Sequence, residues 1–193
     1  MENYIQAQMD QALLLKQKVC ADIDLIDLIA QVSKVCIDGY KNNNRVFCAG
    51  NGGSAADAQH IAAEFVSRFY FDRPALAAEA LTVNTSILTA IGNDYSYDQI
   101  FSRQIEANAR PGDIFFAIST SGNSGNILLA IEAGKKIGMK IVGFTGETGG
   151  KMAELCDYCF KVPSRDTPRV QEIHILIGHL ICAVVEREIF GKK

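Results

Sequence analysis

The sequence predicts an α/β fold in which a parallel β-sheet is covered by helices on both faces. Along its 193 residues, short strand-like segments alternate with segments of helical periodicity, a pattern typical of parallel sheets with crossover helices. Each strand-like segment is a continuous apolar run, most clearly at 113–118, and such runs indicate burial on both faces of the sheet. A chain of this length forms one domain with a substantial core.

The N-terminal part of the chain, residues 2–40, is predicted to form two helices with a break near residues 22–24. The second helix has a broad apolar stripe of helical period, made by Leu25, Ile26, Leu28, Ile29, Val32, Val35, Cys36 and Tyr40. Both faces have more aliphatic residues than one monomer usually needs to cover. We therefore expect residues 1–44 to form a helical interface between subunits and residues 45–193 to form the α/β core.

The core elements follow from apolar runs and from the residues that break them. Strands are expected at 46–49, 78–82, 113–118, 140–145 and 158–162. Helices are expected at 54–70, 86–91, about 97–109, about 124–137, 149–156 and 167–190. The helix at 86–91 should end at Gly92-Asn93-Asp94, Gly138 should cap the helix before it, and Pro168 is tolerated near the start of the last helix.

A glycine-rich turn, Gly50-Asn51-Gly52-Gly53, follows the first core strand and precedes a helix for which Ser54 is the expected N-cap. Amide groups and the positive end of a helix dipole converge at such a turn and can bind a phosphate. On the same helix, His60 and Glu64 are four residues apart and share one face. Such turns also occur without a ligand, and such pairs also occur on plain surfaces, but here the two features coincide.

A second loop, Ser119-Thr120-Ser121-Gly122-Asn123-Ser124, follows the strand at 113–118 and is the more specific phosphate signal. Its four hydroxyl groups and the helix N-terminus behind it can satisfy the oxygens of a phosphate ester; the alternative is a helix cap rich in small polar residues. Neither loop has the lysine of a P-loop, which argues against nucleotide hydrolysis and a nucleotide cofactor. Because both loops follow strands, they should meet at the carboxyl edge of the sheet, where the strand order reverses.

Composition and the apolar pattern limit the binding partners and the cellular location that we expect. The net charge of −3 gives no basic footprint for nucleic acid. No apolar run reaches the roughly 20 residues that span a bilayer, and the N-terminus has no secretory signal, so we expect a cytoplasmic protein without a membrane partner. The cysteines lie in apolar stretches and are expected to be reduced, buried thiols, the Cys156-x-x-Cys159 pair included; they are Cys20, Cys36, Cys48, Cys156, Cys159 and Cys182.

Taken together, these motifs resemble the phosphoheptose isomerase family of the sugar isomerase (SIS) superfamily. The serine-rich loop alone is similar to SIS domains in general, and the pairs His60/Glu64 and Gln171/His179 narrow the resemblance to the heptose enzymes. The resemblance extends over nearly the whole chain. It implies a single SIS domain over 1–193, with three αβα layers and a five-stranded parallel sheet in the flavodoxin-like order.

The resemblance also implies a reaction, the aldose–ketose interconversion of sedoheptulose 7-phosphate and D-glycero-D-manno-heptose 7-phosphate. This is the first step toward the activated heptose of lipopolysaccharide core or capsule. Such a reaction moves a proton between two carbons through an enediol, and by similarity Glu64 is the base and His179 the acid or the ring-opening group. The implied substrate-binding residues are Asn51, Gly52, Gly53, Ser54, Glu64, Arg68, Asn93, Asp94, Ser119, Thr120, Ser121, Ser124 and Gln171.

Members of the family are described with one zinc ion per subunit, whose ligands correspond to His60, Glu64, Gln171 and His179. The metal and the proton-transfer role then compete for Glu64. Gln171 and His179 are eight residues apart, about 12 Å of helical rise, so Gln171 must reach along the groove to share the ion. The resemblance further implies a homotetramer with active sites at subunit interfaces.

Several alternatives stay open at this stage. A related branch of the superfamily, the DnaA initiator-associating proteins, has the fold without catalysis, and an isomerase of another sugar phosphate would show the same loops. His174 competes with His179, and the resemblance favours His179, leaving His174 for a subunit interface or for support of the site. Where some family members have an acidic residue, this chain has Pro168, and Asp166 is the nearest substitute.

Overall fold

The computed structural model describes residues 1–191 and confirms the predicted sheet. Five parallel strands lie in the order β2-β1-β3-β4-β5, which is the flavodoxin-like order. Their bounds are β1 Val46–Ala49, β2 Ala78–Ala80, β3 Ile114–Ile118, β4 Lys140–Thr145 and β5 Tyr158–Lys161. In register, Val46 lies beside Ile114, and Ile114 lies beside Lys140.

Eight helices and one 3-10 turn connect and cover the strands in the described part of the chain. Their bounds are α1 Glu2–Ala21, α2 Ile23–Lys41, α3 Gly53–Val66, α4 Thr85–Asp94, the 3-10 turn Tyr97–Gln99, α5 Ser102–Asn108, α6 Gly125–Ile137, α7 Met152–Leu155 and α8 Thr167–Phe190. The predicted break between the first two helices is confirmed, because the Asp22 side chain accepts a hydrogen bond from the backbone N–H of Leu25 and caps α2.

The sheet separates two apolar cores, which makes the three αβα layers. Phe116 of β3 points to the core shared with α2, α3 and α8, whereas its neighbour Phe115 points to the core shared with α5 and α6. Both rings are fully buried. Complete burial of such a side chain is worth about 1.5–3 kcal/mol, so the paired cores hold the carboxyl edge of the sheet rigidly.

The start of α3 differs from the prediction. Ser54 was expected to be the N-cap, but the cap is Gly52, with φ of 57°, and no side chain caps the helix. Ser54 is instead a buried residue of the first turn. Its backbone lies so close to Gly50 that a Cβ on Gly50 would collide with the Ser54 carbonyl oxygen. The helix therefore begins one residue early because two glycines bring the backbone together.

Other element bounds also differ. Gly92, Asn93 and Asp94 do not terminate α4 but form its last turn, and Asn84 caps its start by accepting from the N–H of Ile87. The single helix predicted at about 97–109 is divided into the 3-10 turn and α5. Helix α3 ends at Val66 rather than near residue 70, and the side chain of Arg73, a few residues further along the chain, binds its last carbonyl groups.

Two further predictions concern membrane-spanning helices and the burial of the cysteines. Within residues 1–191, no helix combines the length and the apolar character that crossing a bilayer requires. Of the six cysteines, which are all free thiols, Cys36, Cys48 and Cys182 are buried as expected. Cys20, near the end of α1, is exposed where it lines an open groove, and Cys156 and Cys159 are only partly buried, so the prediction is wrong for these three thiols.

Candidate active site

The two predicted anion-binding loops meet at the carboxyl edge of the sheet. Strands β1 and β3 are parallel neighbours, so the loops that follow them are adjacent. Asn51 of the first loop and Asn126 of α6 form a reciprocal amide pair, in which each Nδ2 donates to the other Oδ1 at 2.9 Å. The Tyr97 hydroxyl also donates to Asn51 Oδ1, at 3.0 Å. The amide pair fixes one loop relative to the other.

The serine-rich loop gathers hydroxyl groups at the N-terminus of α6. Ser119 Oγ lies 2.9 Å from Ser124 Oγ and 3.4 Å from Ser121 Oγ. Ser124 is the N-cap of α6, yet its side chain makes no capping bond to the helix, which leaves the hydroxyl available for a ligand. Three hydroxyls at the positive end of a 13-residue helix form a site for a dianion such as a phosphate ester.

The turn before α7 is hydrogen-bonded to the serine-rich loop. The N–H of Met152 donates to the Gly122 carbonyl, and the N–H of Lys151 donates to Asn123 Oδ1. Gly122 has φ of 66°, and a Cβ there would collide with the Gly149 carbonyl oxygen. The loop conformation therefore requires glycine at position 122.

A cluster of three predicted functional residues lies between α3 and α8. His60 Nε2 is 3.1 Å from Glu64 Oε1 and 3.3 Å from His179 Nε2, and the two imidazole rings meet edge to face. His60 is exposed, and the other two side chains are half-buried. The structure thus brings together the predicted base and the predicted acid from two different helices.

The surroundings of His179 favour its neutral imidazole form. Partial burial and the neighbouring His60 lower its pKa below the usual value, and the carboxylate of Glu64 only partly offsets them. The Phe69 ring also packs on His179, with ring centroids 5.6 Å apart. A neutral imidazole can accept a proton or bind a metal at neutral pH.

The donor set of this cluster fits a divalent metal ion. One ligand atom from each of His60, Glu64 and His179 lies within 4.8 Å of the others. Two ligands on a tetrahedral zinc with bonds of about 2.0–2.1 Å are about 3.3 Å apart, close to the separations between these atoms. Two imidazoles and a carboxylate with an open fourth position are a common ligand set of catalytic zinc.

Gln171, the fourth predicted ligand, has its amide at the other end of α3. A Cβ built on Gly53 would lie 2.6 Å from Gln171 Nε2, so the amide packs directly on the glycine turn. Gly53 is seven residues before His60, about 10 Å of helical rise. This position suits the predicted substrate-binding role of Gln171, and its role as a metal ligand stays a prediction.

The remaining predicted site residues lie on other elements. Asn93 and Asp94 are exposed at the end of α4, where Asn93 Nδ2 donates to Asp94 Oδ1 at 2.8 Å. Arg68 is exposed just beyond α3, and Asp166 is the exposed N-cap of α8. Their roles toward a substrate stay predictions, as does that of the buried Ser54.

His174 is a core residue and not part of an interface. Its side chain is fully buried, and its Nε2 lies 3.1 Å from the Thr145 carbonyl oxygen at the end of β4. Burial lowers its pKa to about 4, and the bond to Thr145 only partly opposes that shift. His174 and His179 therefore point away from each other around α8, which removes the competition between them.

Three residues at the site were missed by the sequence analysis. Asn126 and Tyr97 hold Asn51, although nothing in their local sequence indicates a contact with a loop far away in the chain. Asp57 lies one turn before His60 on α3, and burial raises its pKa to about 6 despite the neighbouring His60. Its Oδ2 atom is buried without a hydrogen-bond partner among residues 1–191.

Comparison with known proteins gives consistent results. The SIS domain family model matches residues 15–146. A phosphoheptose isomerase of Aneurinibacillus thermoaerophilus is 60% identical over 193 residues, which are 100% of this chain and 98% of the relative. Phosphoheptose isomerase 2 of Campylobacter jejuni is 58% identical, with coverage of 100% and 96%. The solved structure of phosphoheptose isomerase GmhA from Neisseria gonorrhoeae has a TM-score of 0.90 at 39% identity, with coverage of 96% and 98%.

Proposed function

The chain belongs to the SIS domain family and, within it, to the phosphoheptose isomerases, and from that premise we propose that it interconverts sedoheptulose 7-phosphate and D-glycero-D-manno-heptose 7-phosphate. The reaction is an aldose–ketose isomerisation through an enediol, the first step toward activated heptose for lipopolysaccharide core or capsule. The observation that carries this proposal is the contact between His60 and Glu64 of α3 and His179 of α8, since α3 starts at the glycine-rich loop.

The phosphate end of the substrate binds at the serine-rich loop. The hydroxyls of Ser119, Ser121 and Ser124 supply donors, and the N-terminus of α6 supplies a positive potential without a buried cation. Thr120 lies in the same loop and completes the set of four hydroxyls. From Gly53 to His60, α3 rises about 10 Å, which is comparable to the length of an extended seven-carbon sugar.

The carbonyl end of the substrate lies at the cluster between α3 and α8. Glu64 takes the proton from one carbon of the sugar and returns it to the neighbouring carbon. Burial and His60 lower the pKa of His179 and so favour its neutral form, and in the metal-free site the imidazole accepts the proton of the anomeric hydroxyl when the ring opens. It returns that proton to the ring oxygen, and in the enediol step it carries the hydroxyl proton of one sugar carbon to the carbonyl oxygen of the neighbouring carbon. Gln171, Asn51, Asn93 and Asp94 bind the hydroxyl groups between the two ends.

We propose zinc as the metal that His60, Glu64 and His179 hold, in competition with the proton-transfer roles of Glu64 and His179. Gln171, the fourth ligand that the resemblance implies, has its amide at Gly53, at the other end of α3. Bound to His60, Glu64 and His179, zinc would act as a Lewis acid that polarises the sugar carbonyl. The support is the three-donor geometry of the cluster. Measuring zinc by mass spectrometry after dialysis, in the wild type and in His60→Ala, tests the assignment; equal zinc content in both would contradict it.

We also propose that the chain works as a homotetramer with active sites at the subunit interfaces. The support is an open apolar groove of about 840 Å³ lined by α1, α2 and α8, whose aliphatic residues include Ile26, Ile29, Leu176, Leu180 and Val184. Sedimentation velocity tests it, and an active monomer would contradict it. The cytoplasmic location stays a prediction.

The two alternatives are not favoured by the comparisons. A non-catalytic protein that binds a replication initiator has no need of a converged base and imidazole, and the full-length relatives are named as isomerases. An isomerase of another sugar phosphate would act on the same class of substrate, and the direct assay below separates it from the proposed activity.

The experiment is incubation of the purified protein with sedoheptulose 7-phosphate while NMR follows the appearance of the aldose. Glu64→Gln should abolish turnover without loss of the fold, because the amide cannot accept the proton. Glu132→Gln, on the exposed face of α6, makes the same chemical change away from the site and should leave the rate unchanged. Absence of aldose with the wild type, or a wild-type rate in Glu64→Gln, would refute the proposal.

A further inference from the structure

The segment between α3 and β2 is anchored by a buried carboxylate on α8. Glu186 is only 1% exposed, and it accepts backbone N–H bonds from Phe69 at 2.7 Å, Tyr70 at 2.6 Å and Phe71 at 3.3 Å. The Nε of Arg73 donates to the same carboxylate at 3.1 Å. Four donors thus converge on one side chain, which lies 113 residues after Arg73 in the sequence.

Arg73 also binds the end of α3. Its guanidinium donates to the Phe65 carbonyl at 2.6 Å and to the Glu64 carbonyl at 2.8 Å. The last carbonyl groups of a helix have no partner within the helix, so the guanidinium supplies one. Because Glu64 is the proposed base, the side chain of Arg73 holds the backbone from which the base extends.

The same segment places an aromatic ring on the proposed acid. Phe69, whose N–H is bound by Glu186, packs on the imidazole of His179. Glu186 lies seven residues after His179 on α8, two helical turns further along and on the same side. The buried ion pair of Arg73 and Glu186 therefore binds the backbone of the proposed base, Glu64. It also holds the segment whose Phe69 ring packs on the proposed acid, His179.

We propose that Arg73 and Glu186 are positioning residues, which hold Glu64 of α3 and His179 of α8 at their mutual distance. Neither side chain touches the substrate. A buried ion pair is poor at increasing net stability compared with apolar residues of the same size, so orientation accounts better for its presence. The expected effect on kcat rests on the proposed function, whereas the expected effect on the position of His179 does not.

The test compares three variants. Arg73→Lys keeps the charge beside Glu186 but loses the fork that spans the carbonyls of Glu64 and Phe65. Glu186→Gln keeps the shape of the carboxylate but loses its charge. The matched control is Asp113→Asn: Asp113 is 2% exposed and binds the backbone N–H groups of Arg45 and Arg110, but it lies at the opposite, amino edge of the sheet.

Two measurements are made below the melting temperature of each variant. In the isomerase assay, we expect kcat to fall roughly tenfold or more in Arg73→Lys and Glu186→Gln while KM stays within about twofold, and we expect Asp113→Asn to keep its kcat. In NMR spectra of metal-free protein, the chain has only three histidines, so the Cε1–H signals can be assigned. The signal of His179 should shift in both site variants, and that of His174 should not.

The outcomes are distinct. Unchanged kcat and an unchanged His179 signal in folded Arg73→Lys would overturn the proposal, and so would an equal loss of kcat in Asp113→Asn. If the wild type shows no isomerase activity but the His179 signal shifts in the variants, the proposed function fails and the positioning role stands. If Glu186→Gln does not fold, Arg73→Lys decides alone.

Discussion

Replacing His174 by phenylalanine should remove a specific part of the acid sensitivity of this fold. The imidazole is fully buried against the Phe144 ring, with centroids 5.8 Å apart. Its Nδ1 has no hydrogen-bond partner in the part of the chain that the structure describes. The Thr145 carbonyl that it contacts also accepts the N–H of Val162, so phenylalanine leaves no unpaired carbonyl.

The magnitude follows from the two pKa values of His174. Burial lowers the pKa from 6.5 to about 4 in the folded state, so the unfolded chain binds a proton first as the pH falls. The stability that neutral His174 contributes is therefore complete above pH 6.5 and is lost as the pH falls toward 4. At 1.36 kcal/mol per pKa unit, the loss is about 2 kcal/mol between roughly pH 7.5 and pH 5.

Urea unfolding at a fixed protein concentration measures this quantity, because assembly also contributes to stability. Between pH 7.5 and pH 5, the free energy of unfolding should fall by about 2 kcal/mol more in the wild type than in His174→Phe. The control is Ser33→Ala, a buried change without a titrating group, which should shift the stability equally at both. Equal pH dependence in the wild type and His174→Phe would refute the reasoning.

Three further predictions use single positions. Gly53→Ala should displace the Gln171 amide and raise KM several-fold with little change in melting temperature, because the flexible end of that side chain can move; an unchanged KM would contradict this. Gly122→Ala should reduce stability by about 2–3 kcal/mol in urea unfolding, since φ of 66° and the Gly149 carbonyl both exclude a side chain. Iodoacetamide at neutral pH should modify Cys20 of the dissociated subunit before the thiols whose burial raises their pKa, and the proposed tetramer should protect Cys20 because it lines the apolar groove, as peptide mass spectrometry would show; those thiols are Cys36, Cys48 and Cys182.

The strands and the last helix were predictable because their signals are local. The bounds of β1, β4 and α8 agree with the predicted ones, since the two strands are apolar runs and Pro168 marks the start of α8. The start of α3 was not predictable in detail. Serine is the better N-cap by propensity, but the close approach of Gly50 to Ser54 moves the cap to Gly52.

In the candidate site too, some residues could be predicted from the sequence and others could not. His60 and Glu64 could be found from their spacing on one helix, whereas the choice of His179 over His174 needed the family resemblance. The structure explains that choice, because His174 faces the sheet and His179 faces α3. Glu186 and Arg73 could not be found from the sequence, since a contact across 113 residues leaves no local pattern.

The two outermost strands of the sheet are short, which limits how the sheet can grow. Strand β2 has three residues and β5 has four, so each border offers few free backbone groups to an added strand. Lateral extension of the sheet from molecule to molecule is therefore disfavoured. An oligomer of this chain is therefore expected to form through side chains on its helices. Substitutions that destabilise the edge strands β2 and β5 should promote aggregation rather than ordered assembly.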